Sequence, residues 1–233
     1  PITIKKNQIV SFRYGSKNLV DDILLTRPLP KNIKAKIFSI DDGKFYFKLV
    51  SKNINSLKGK ALQNCIIKPK KGLNIPNSIY DDNLQEQIYT KYFNLFSKTK
   101  IDAVGLSFVQ NKKIIEKIKK RYPELNLVSK VENSEGLKNV EEISKSSDAI
   151  MIDRGDLSAE IGNDKLYDAI NKISKICKKY GRPLIMATEN LESLHNQNIP
   201  SKNDIISLGH SMEVNSDIIM LSEETAISSR WKK

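Results

Sequence analysis

The chain has 233 residues, an apolar fraction of 39% and a formal net charge of +12. It contains no apolar run near the roughly 18 residues of a membrane span, and its start, PITIKKNQIV, has no signal-peptide pattern, so a membrane protein is excluded. Cys65 and Cys177 stand far apart without a CxxC or a Cys/His cluster, which is typical of reduced thiols and predicts a cytoplasmic location. Because the chain does not begin with Met, we expect a processed protein or part of a longer one.

The first third of the chain predicts short strands joined by turns. Two β-rich runs flank Asp41-Asp42-Gly43, where an Asp-Gly pair predicts a tight primed turn and therefore a hairpin. ALQNCIIKPK predicts another strand, and the Pro- and Gly-containing residues 68–77 are typical of a domain exit. We predict a small all-β domain over residues 1–70, for which an oligonucleotide-binding barrel is one candidate.

All of the excess positive charge lies in this part of the chain. Residues 1–75 hold sixteen Lys or Arg against four Asp or Glu, and the remainder holds 23 of each kind. Such a concentration predicts an anionic partner, either nucleotide phosphates or nucleic acid. We favour nucleotide phosphates, because no interleaved stacking aromatics stand out. A solvated lysine-rich surface remains the alternative.

From Asp81 onward the pattern changes to alternating helices and strands. Leu84, Ile88, Tyr92 and Leu95 recur at helical spacing, which predicts a helix that buries this face. Five apolar runs then alternate with helical segments: IDAVGLSFVQ, NLVSKVEN, DAIMIDRGDL, RPLIMATEN and DIIMLSEETA. Repeated strand–helix units predict a parallel sheet with helices outside it.

Polar residues gather at the carboxyl end of every predicted strand: Ser107; Lys130 and Glu132; Asp153 and Asp156; Thr188 and Glu189; Ser222 and Glu224. This is the edge where (β/α)8 barrels place their active sites. Lys130 and Glu132 are two apart and share a face of their strand. Two acids from neighbouring strand ends suit a hard divalent cation, and a lysine beside them suits developing negative charge. Ordinary salt bridging at the strand ends is the alternative.

Six motifs follow one another in the order found in pyruvate kinases: SFV, SKVENSEG, MIDRGDL-E, ATENLES, PSKND and LSEETA. KKGLNIP, at residues 70–76, likewise resembles the return from that family's small domain to its barrel. The resemblance covers nearly the whole chain. It implies an α/β fold, part of a (β/α)8 TIM-type barrel over residues 71–233 with an inserted small all-β domain over residues 1–70. The family's first barrel strands and C-terminal domain have no counterpart here.

Carried over position by position, the resemblance assigns roles to the site residues. It implies Glu132 and Asp156 as ligands of Mg2+ or Mn2+, with K+ as a further cation. The catalytic residues implied are Lys130 and Thr188. The implied substrate-binding residues are Thr188 and the turn Arg154-Gly155-Asp156, which would offer backbone N–H groups to the substrate carboxylate. Asp42 and Lys71 would face the nucleotide. Ser222 and Glu224 match the family's last strand end less closely.

The implied reaction is phosphoryl transfer from phosphoenolpyruvate to ADP, which yields pyruvate and ATP in glycolysis. A metal-dependent lyase of 2-oxo acids and a catalytically degenerate binding subunit remain alternatives. The second is favoured by Glu189 and Glu223, which stand where the family has other residues. Asp153 replaces a small residue, and this extra acid could tighten the metal or repel the substrate carboxylate. We expect a homo-oligomer, or an N-terminal segment that completes the barrel, with no nucleic acid or membrane partner.

Overall fold

The computed structural model describes residues 1–15, 23–25, 27–30, 32–69, 71–96 and 100–221, without the side chains of 94–96. The first part of the chain forms the strands β1 (Ile2–Ile4), β2 (Ile9–Tyr14), β3 (Ile23–Leu25), β4 (Ile37–Ile40), β5 (Phe45–Lys52), β6 (Ser56–Ala61), β7 (Cys65–Ile67) and β8 (Leu73–Asn74). Strands and helices then alternate: α1 (Asp82–Phe96), β9 (Ala103–Leu106), α2 (Lys112–Arg121), β10 (Asn126–Val131), α3 (Ser134–Lys138), α4 (Val140–Ser146), β11 (Ala149–Asp153), α5 (Arg154–Ile161), α6 (Leu166–Tyr180), β12 (Leu184–Ala187), α7 (Lys202–Glu213) and β13 (Ile218–Met220). Short 3-10 helices span Asn163–Lys165 and Glu192–His195.

The first strands build a small β domain, as predicted. Its main sheet has the order β3-β2-β6-β5-β4-β8, and β1 pairs with β7 in a separate antiparallel ladder. Three buried rings, Phe12, Phe38 and Phe47, meet at centroid distances of 5.2 to 5.4 Å in the core of this domain. Alternate residues of a strand face opposite sides, so Phe47 is buried while Tyr46 is 40% exposed.

The hairpin predicted at Asp41-Asp42-Gly43 is present, although its turn differs from the predicted one. Ile40 lies opposite Phe45, so four residues connect β4 to β5 instead of two. Asp41, Asp42 and Gly43 all have positive φ (60°, 54° and 79°), a conformation that Asp and Gly adopt more readily than most residues. The longer turn is held from outside, because the Asp41 N–H donates to the Gly72 carbonyl oxygen at 3.1 Å.

The exit from the small domain remains part of its sheet. Leu73 and Asn74 of β8 lie opposite Ile40 and Ser39 of β4. This pairing occurs beyond residue 70, where we placed the boundary, and the division of the chain at that residue stays a prediction.

The second part of the chain is a parallel sheet with the order β13-β12-β11-β10-β9, covered by helices. Neighbours in the sheet are neighbours in sequence, and a helical segment lies between each pair of strands, so the predicted partial barrel is confirmed. Gly181 ends α6 with φ of 60°, as expected for a C-cap, and α2 ends before Pro123. Among the described helices, none has both the length and the hydropathy to span a bilayer.

The buried face of α1 differs from the predicted one. Gln85, Tyr89 and Phe93 face the core, whereas Tyr92 is 51% exposed. The Gln85 side chain is buried because its amide donates to the carbonyl oxygens of Ser107 and Phe108, both at 2.9 Å. A pattern of apolar residues alone cannot predict that a glutamine is buried. The predicted face of α1 therefore differs from the observed buried face by one residue position.

Replacing Gly59 by Ala should destabilise the small domain. A Cβ at this position of β6 would overlap Phe38 Cζ and lie 2.8 Å from its Cε1, so the packed ring must move. We expect the free energy of unfolding to fall by about 1–3 kcal/mol, the usual cost of overpacking. Urea unfolding followed by circular dichroism measures this change. The matched control is Lys58→Ala at the exposed neighbouring position; equal stability of the two variants would contradict the packing argument.

Candidate active site

The carboxyl ends of β10 and β11 bring a lysine and three carboxylates together. Lys130 Nζ lies 2.5 Å from Glu132 Oε1 and 3.1 Å from Asp153 Oδ2. One oxygen from each of Glu132, Asp153 and Asp156 lies within 4.8 Å of the others. The parallel register explains the grouping, because Lys130 lies opposite Met151 and both strands end at the same edge. We call Lys130, Glu132, Asp153 and Asp156 the charged cluster.

Burial determines the electrostatics of the charged cluster. Desolvation raises the pKa of Glu132, and it raises the pKa of Asp156 well above its ordinary value, with the neighbouring Glu132 and Asp153 carboxylates adding to the second effect. Burial alone would lower the pKa of Lys130, but Glu132 and Asp153 raise it above its ordinary value. The ionised forms of Glu132 and Asp156 are therefore costly in this site, and a cation beside them would lower that cost.

The backbone around the charged cluster is held in uncommon conformations. Phe108 has φ of 56°, and its N–H donates to Glu132 Oε2. Thr188, at the end of β12, has φ of 61°, which is unusual for a β-branched residue. Backbone strain of this kind occurs where the surrounding structure holds a functional group in place.

Arg154 is the residue that holds Thr188. Its guanidinium is 5% exposed and turns toward the end of β12, where Nε donates to the Thr188 carbonyl oxygen at 3.1 Å and Nη2 donates to Asn190 Oδ1 at 2.8 Å. The structure thus places the Arg154 side chain beneath Thr188. Its predicted part in substrate binding was through backbone N–H groups, and that role stays a prediction.

Gly155 and Thr188 connect the end of β12 to α5. The Thr188 hydroxyl accepts from the Gly155 N–H at 3.1 Å and lies within donating distance of Asp153 Oδ1 (3.2 Å) and of the Ala187 carbonyl oxygen (2.7 Å). Gly155 also permits the small domain to approach, since a Cβ there would lie 3.2 Å from Asp42 Cβ. The residues predicted to bind substrate and those predicted to bind nucleotide are therefore adjacent.

The small domain and its exit contribute four polar residues to this edge of the site. Lys71 Nζ pairs with Asp41 Oδ1 at 3.0 Å, and desolvation raises the pKa of Asp42, an effect that Lys71 opposes. Asn74 Nδ2 donates to Asp156 Oδ1 at 2.7 Å. Sequence reasoning missed Asp41 and Asn74, although Asn74 lies within the KKGLNIP motif that it used.

The donor set fits a hard divalent cation. Three carboxylates supply oxygen ligands, and the Asn74 side chain is fully buried with its Oδ1 lacking a hydrogen-bond partner within the described residues. An orphaned buried oxygen beside Asp156 is a further position from which a cation could be coordinated. Oxygen donors of this kind suit Mg2+ or Mn2+. Ser222, Glu223 and Glu224, which the sequence analysis named, lie outside the described residues.

Fold and site together define a class of protein: (β/α) barrels that carry a carboxylate–lysine cluster at the carboxyl edge of the sheet. A sequence model of the pyruvate kinase barrel domain matches residues 6–230. The chain belongs to the pyruvate kinase family.

Individual relatives agree with this assignment. The chain is similar to a pyruvate kinase of Encephalitozoon cuniculi, with 32% identity over 189 residues, 81% of this chain and 44% of the relative. A pyruvate kinase of Thermotoga maritima is 26% identical over 97% of this chain and 50% of its own length. A crystal structure of a pyruvate kinase from Cryptosporidium parvum superposes with a TM-score of 0.77 at 27% identity, covering 98% of this chain and 50% of that one. The chain thus spans about half the length of these relatives, or less.

A buried glutamate on α5 lies apart from the residues assigned so far. Glu160 is 4% exposed, and burial raises its pKa to about 7, although N–H groups of Ser134, Asn77 and Ile75 favour its ionised form. Ile75 and Asn77 belong to the exit from the small domain, so this carboxyl group lies where the two parts of the chain meet.

Glu160 should make stability depend on pH. Its folded-state pKa of about 7 exceeds the ordinary 4.5, so the folded state holds the proton more tightly, and the resulting stability is lost as pH rises from 4.5 through 7. Glu160→Gln should remove this dependence, and wild type should lose about 3 kcal/mol relative to the variant between pH 4.5 and 8. Urea unfolding across that range measures it. Glu142→Gln on the exposed face of α4 is the control, and a constant difference for Glu160→Gln would contradict the prediction.

Proposed function

We propose that the charged cluster and the small domain above it form part of a pyruvate kinase active site, which transfers a phosphoryl group from phosphoenolpyruvate to ADP. The observation that carries the proposal is the contact of Lys130 with Glu132 and Asp153 beside Asp156, in a chain of this family. Phosphoryl transfer needs positioning and charge neutralisation more than covalent chemistry. The side chains of the charged cluster would provide both the positioning and the charge neutralisation.

Glu132 and Asp156 would hold a divalent cation, Mg2+ or Mn2+, with the Asn74 oxygen close by. When bound, such a cation neutralises charge on the phosphoryl and enolate oxygens. Asn74 orients the Asp156 carboxylate through its hydrogen bond of 2.7 Å. A requirement for K+ belongs to the same proposal, and it rests on the family alone.

Lys130 would stabilise the transferring phosphoryl group, because it is the cationic side chain of the charged cluster. The Thr188 hydroxyl would face the reacting carbon of pyruvate, held there by the Arg154 guanidinium beneath its carbonyl group. The start of α5, at Gly155 and Asp156, would offer backbone N–H groups to the substrate carboxylate, which the positive end of the helix dipole favours. Gly155 would have to release the Thr188 hydroxyl to do so.

The small domain would act as the nucleotide lid. Asp42 lies against Gly155, and Lys71 lies at the strand exit beside Asp41, so both residues adjoin the substrate end of the site. The excess of lysine and arginine over residues 1–75 favours the phosphates of ADP by the same electrostatics. A cytoplasmic location and assembly into a homo-oligomer, or with a segment that completes the barrel, are parts of this proposal.

Neutralising either proposed metal ligand should weaken cation binding. We expect the wild-type chain to bind Mn2+ in calorimetry, and Glu132→Gln and Asp156→Asn to bind it at least tenfold more weakly, because each loses one ionised ligand. Asp168→Asn on the exposed face of α6 is the matched control. A coupled assay with phosphoenolpyruvate, ADP and Mg2+ tests the reaction. If a folded protein retains Mn2+ binding in both variants, the assignment of the ligands is wrong.

Lys71→Ala should weaken ADP binding about tenfold and leave the affinity for phosphoenolpyruvate nearly unchanged, since the lost cation adjoins the nucleotide. Calorimetric titration with each ligand measures this split, with Lys58→Ala on the exposed surface of the same domain as the control. Binding of random oligonucleotides that falls steeply between about 50 and 200 mM salt would instead identify a nucleic-acid surface. If neither substitution changes the affinity for ADP or for oligonucleotides, the lysine-rich part of the chain is a solvated surface.

A further inference from the structure

The sequence did not decide whether the carboxylate of Asp153 strengthens metal binding or repels the substrate. Asp153 is the last residue of β11, it lies opposite Ala187 of β12, and it is 7% exposed. A buried carboxylate in a strand end normally needs a partner for each oxygen. The partners of Asp153 therefore indicate what this residue does in the site.

The two oxygens of Asp153 contact two different residues of the proposed site. Oδ2 lies 3.1 Å from Lys130 Nζ, and Oδ1 lies 3.2 Å from Thr188 Oγ1. The ammonium group of Lys130 is therefore shared between Asp153 and Glu132, with its side chain only 20% exposed. A phosphoryl group that approaches Lys130 must compete with both carboxylates.

The charge of the cluster changes with Asp153 in a definite direction. Fully ionised, three carboxylates and one ammonium carry a net charge of −2, which a divalent cation balances. Without Asp153 the same residues would carry −1, and the site with its cation would be positive. Electrostatic attraction between charges a few ångströms apart is strong in a buried site. Asp153 thus favours the cation and disfavours an anion that binds beside it.

We propose that Asp153 is a specificity-determining residue that strengthens cation binding and weakens phosphoryl binding, so that the cation enters this site before the substrate and without its help. This inference rests on the proposed function, because it takes Lys130 as the phosphoryl-binding group and Glu132 and Asp156 as cation ligands. Of the two effects that the sequence left open, the inference adopts stronger cation binding. For the second it replaces repulsion of the substrate carboxylate by weaker binding of the phosphoryl group, which acts through Lys130.

The test compares wild type with Asp153→Ala and Asp153→Asn in the 233-residue chain. Asparagine keeps the size of the side chain and an oxygen for the Thr188 hydroxyl, and it removes only the charge. Calorimetry gives the affinity for Mn2+ alone, and then for phosphoenolpyruvate at saturating Mn2+ without ADP. We expect both variants to bind Mn2+ about tenfold more weakly and phosphoenolpyruvate about tenfold more tightly.

The opposite directions of the two effects separate this proposal from a structural role. A lost support for Thr188 would weaken both ligands, and it would do so in Asp153→Ala more than in Asp153→Asn; that result would overturn the inference. If wild type binds Mn2+ and both Asp153 variants bind it equally well, the inference alone fails. If wild type binds no Mn2+, the proposed metal site fails together with the inference. Asp168→Asn, remote and exposed, should change neither affinity.

Discussion

The contact of Lys130 with Glu132 and Asp153 is the interaction on which the rest of the site depends. Glu132 and Asp153 are buried and Asp156 is half-buried at one edge of the sheet, where a carboxylate is costly if it is left unpaired. The ammonium group compensates for part of that cost, and the N–H of Phe108 compensates for more of it at Glu132. What is left uncompensated is negative, and this charge suits the divalent cation that we propose for the site.

The positive φ values of two residues beside the charged cluster can be explained by the hydrogen bonds that these residues make. Phe108 adopts a positive φ and turns its N–H toward Glu132, while Thr188 adopts one with its carbonyl group held by Arg154. Thr188 directly follows β12, and Phe108 lies two residues after the end of β9. Hydrogen bonds stabilise both residues in these conformations, and the hydroxyl of Thr188 consequently faces Asp153. The surrounding structure thereby fixes the positions of the Phe108 N–H and the Thr188 hydroxyl.

The small domain meets the site through a few close contacts. Asn74 reaches Asp156, Asp42 lies against Gly155, and a Cβ at Gly43 would lie only 3.3 Å from Ala159 Cβ. Each contact involves a residue at the start or middle of α5. A movement of the small domain would therefore act first on Asp156 and on the beginning of that helix. The position of the proposed lid is in this way connected with the orientation of a proposed metal ligand.

The sequence by itself determined the layers of this fold and which polar residues stand at the ends of its strands. Alternation of apolar strands with helices predicts the parallel sheet, and the polar strand ends predict which edge bears the site, because both depend on local periodicity. The Asp-Gly pair that predicts the hairpin is also a local signal. The observed turn is longer than predicted, and it is stabilised by a hydrogen bond to Gly72, which is distant in sequence. The phase of α1 was wrong for a related reason, since Gln85 is buried by hydrogen bonds to a neighbouring loop.

Only the tertiary structure decided how the site residues are paired. The sequence placed Lys130, Glu132 and Asp156 together, yet it could not show that Asp153 takes a share of the Lys130 ammonium, that Arg154 turns away to hold Thr188, or that Asn74 reaches Asp156 from the small domain. These pairings join residues from different strands and from both parts of the chain. Their distances follow from the register between β10 and β11 and from the approach of the small domain, and neither is written in the periodicity of any single segment.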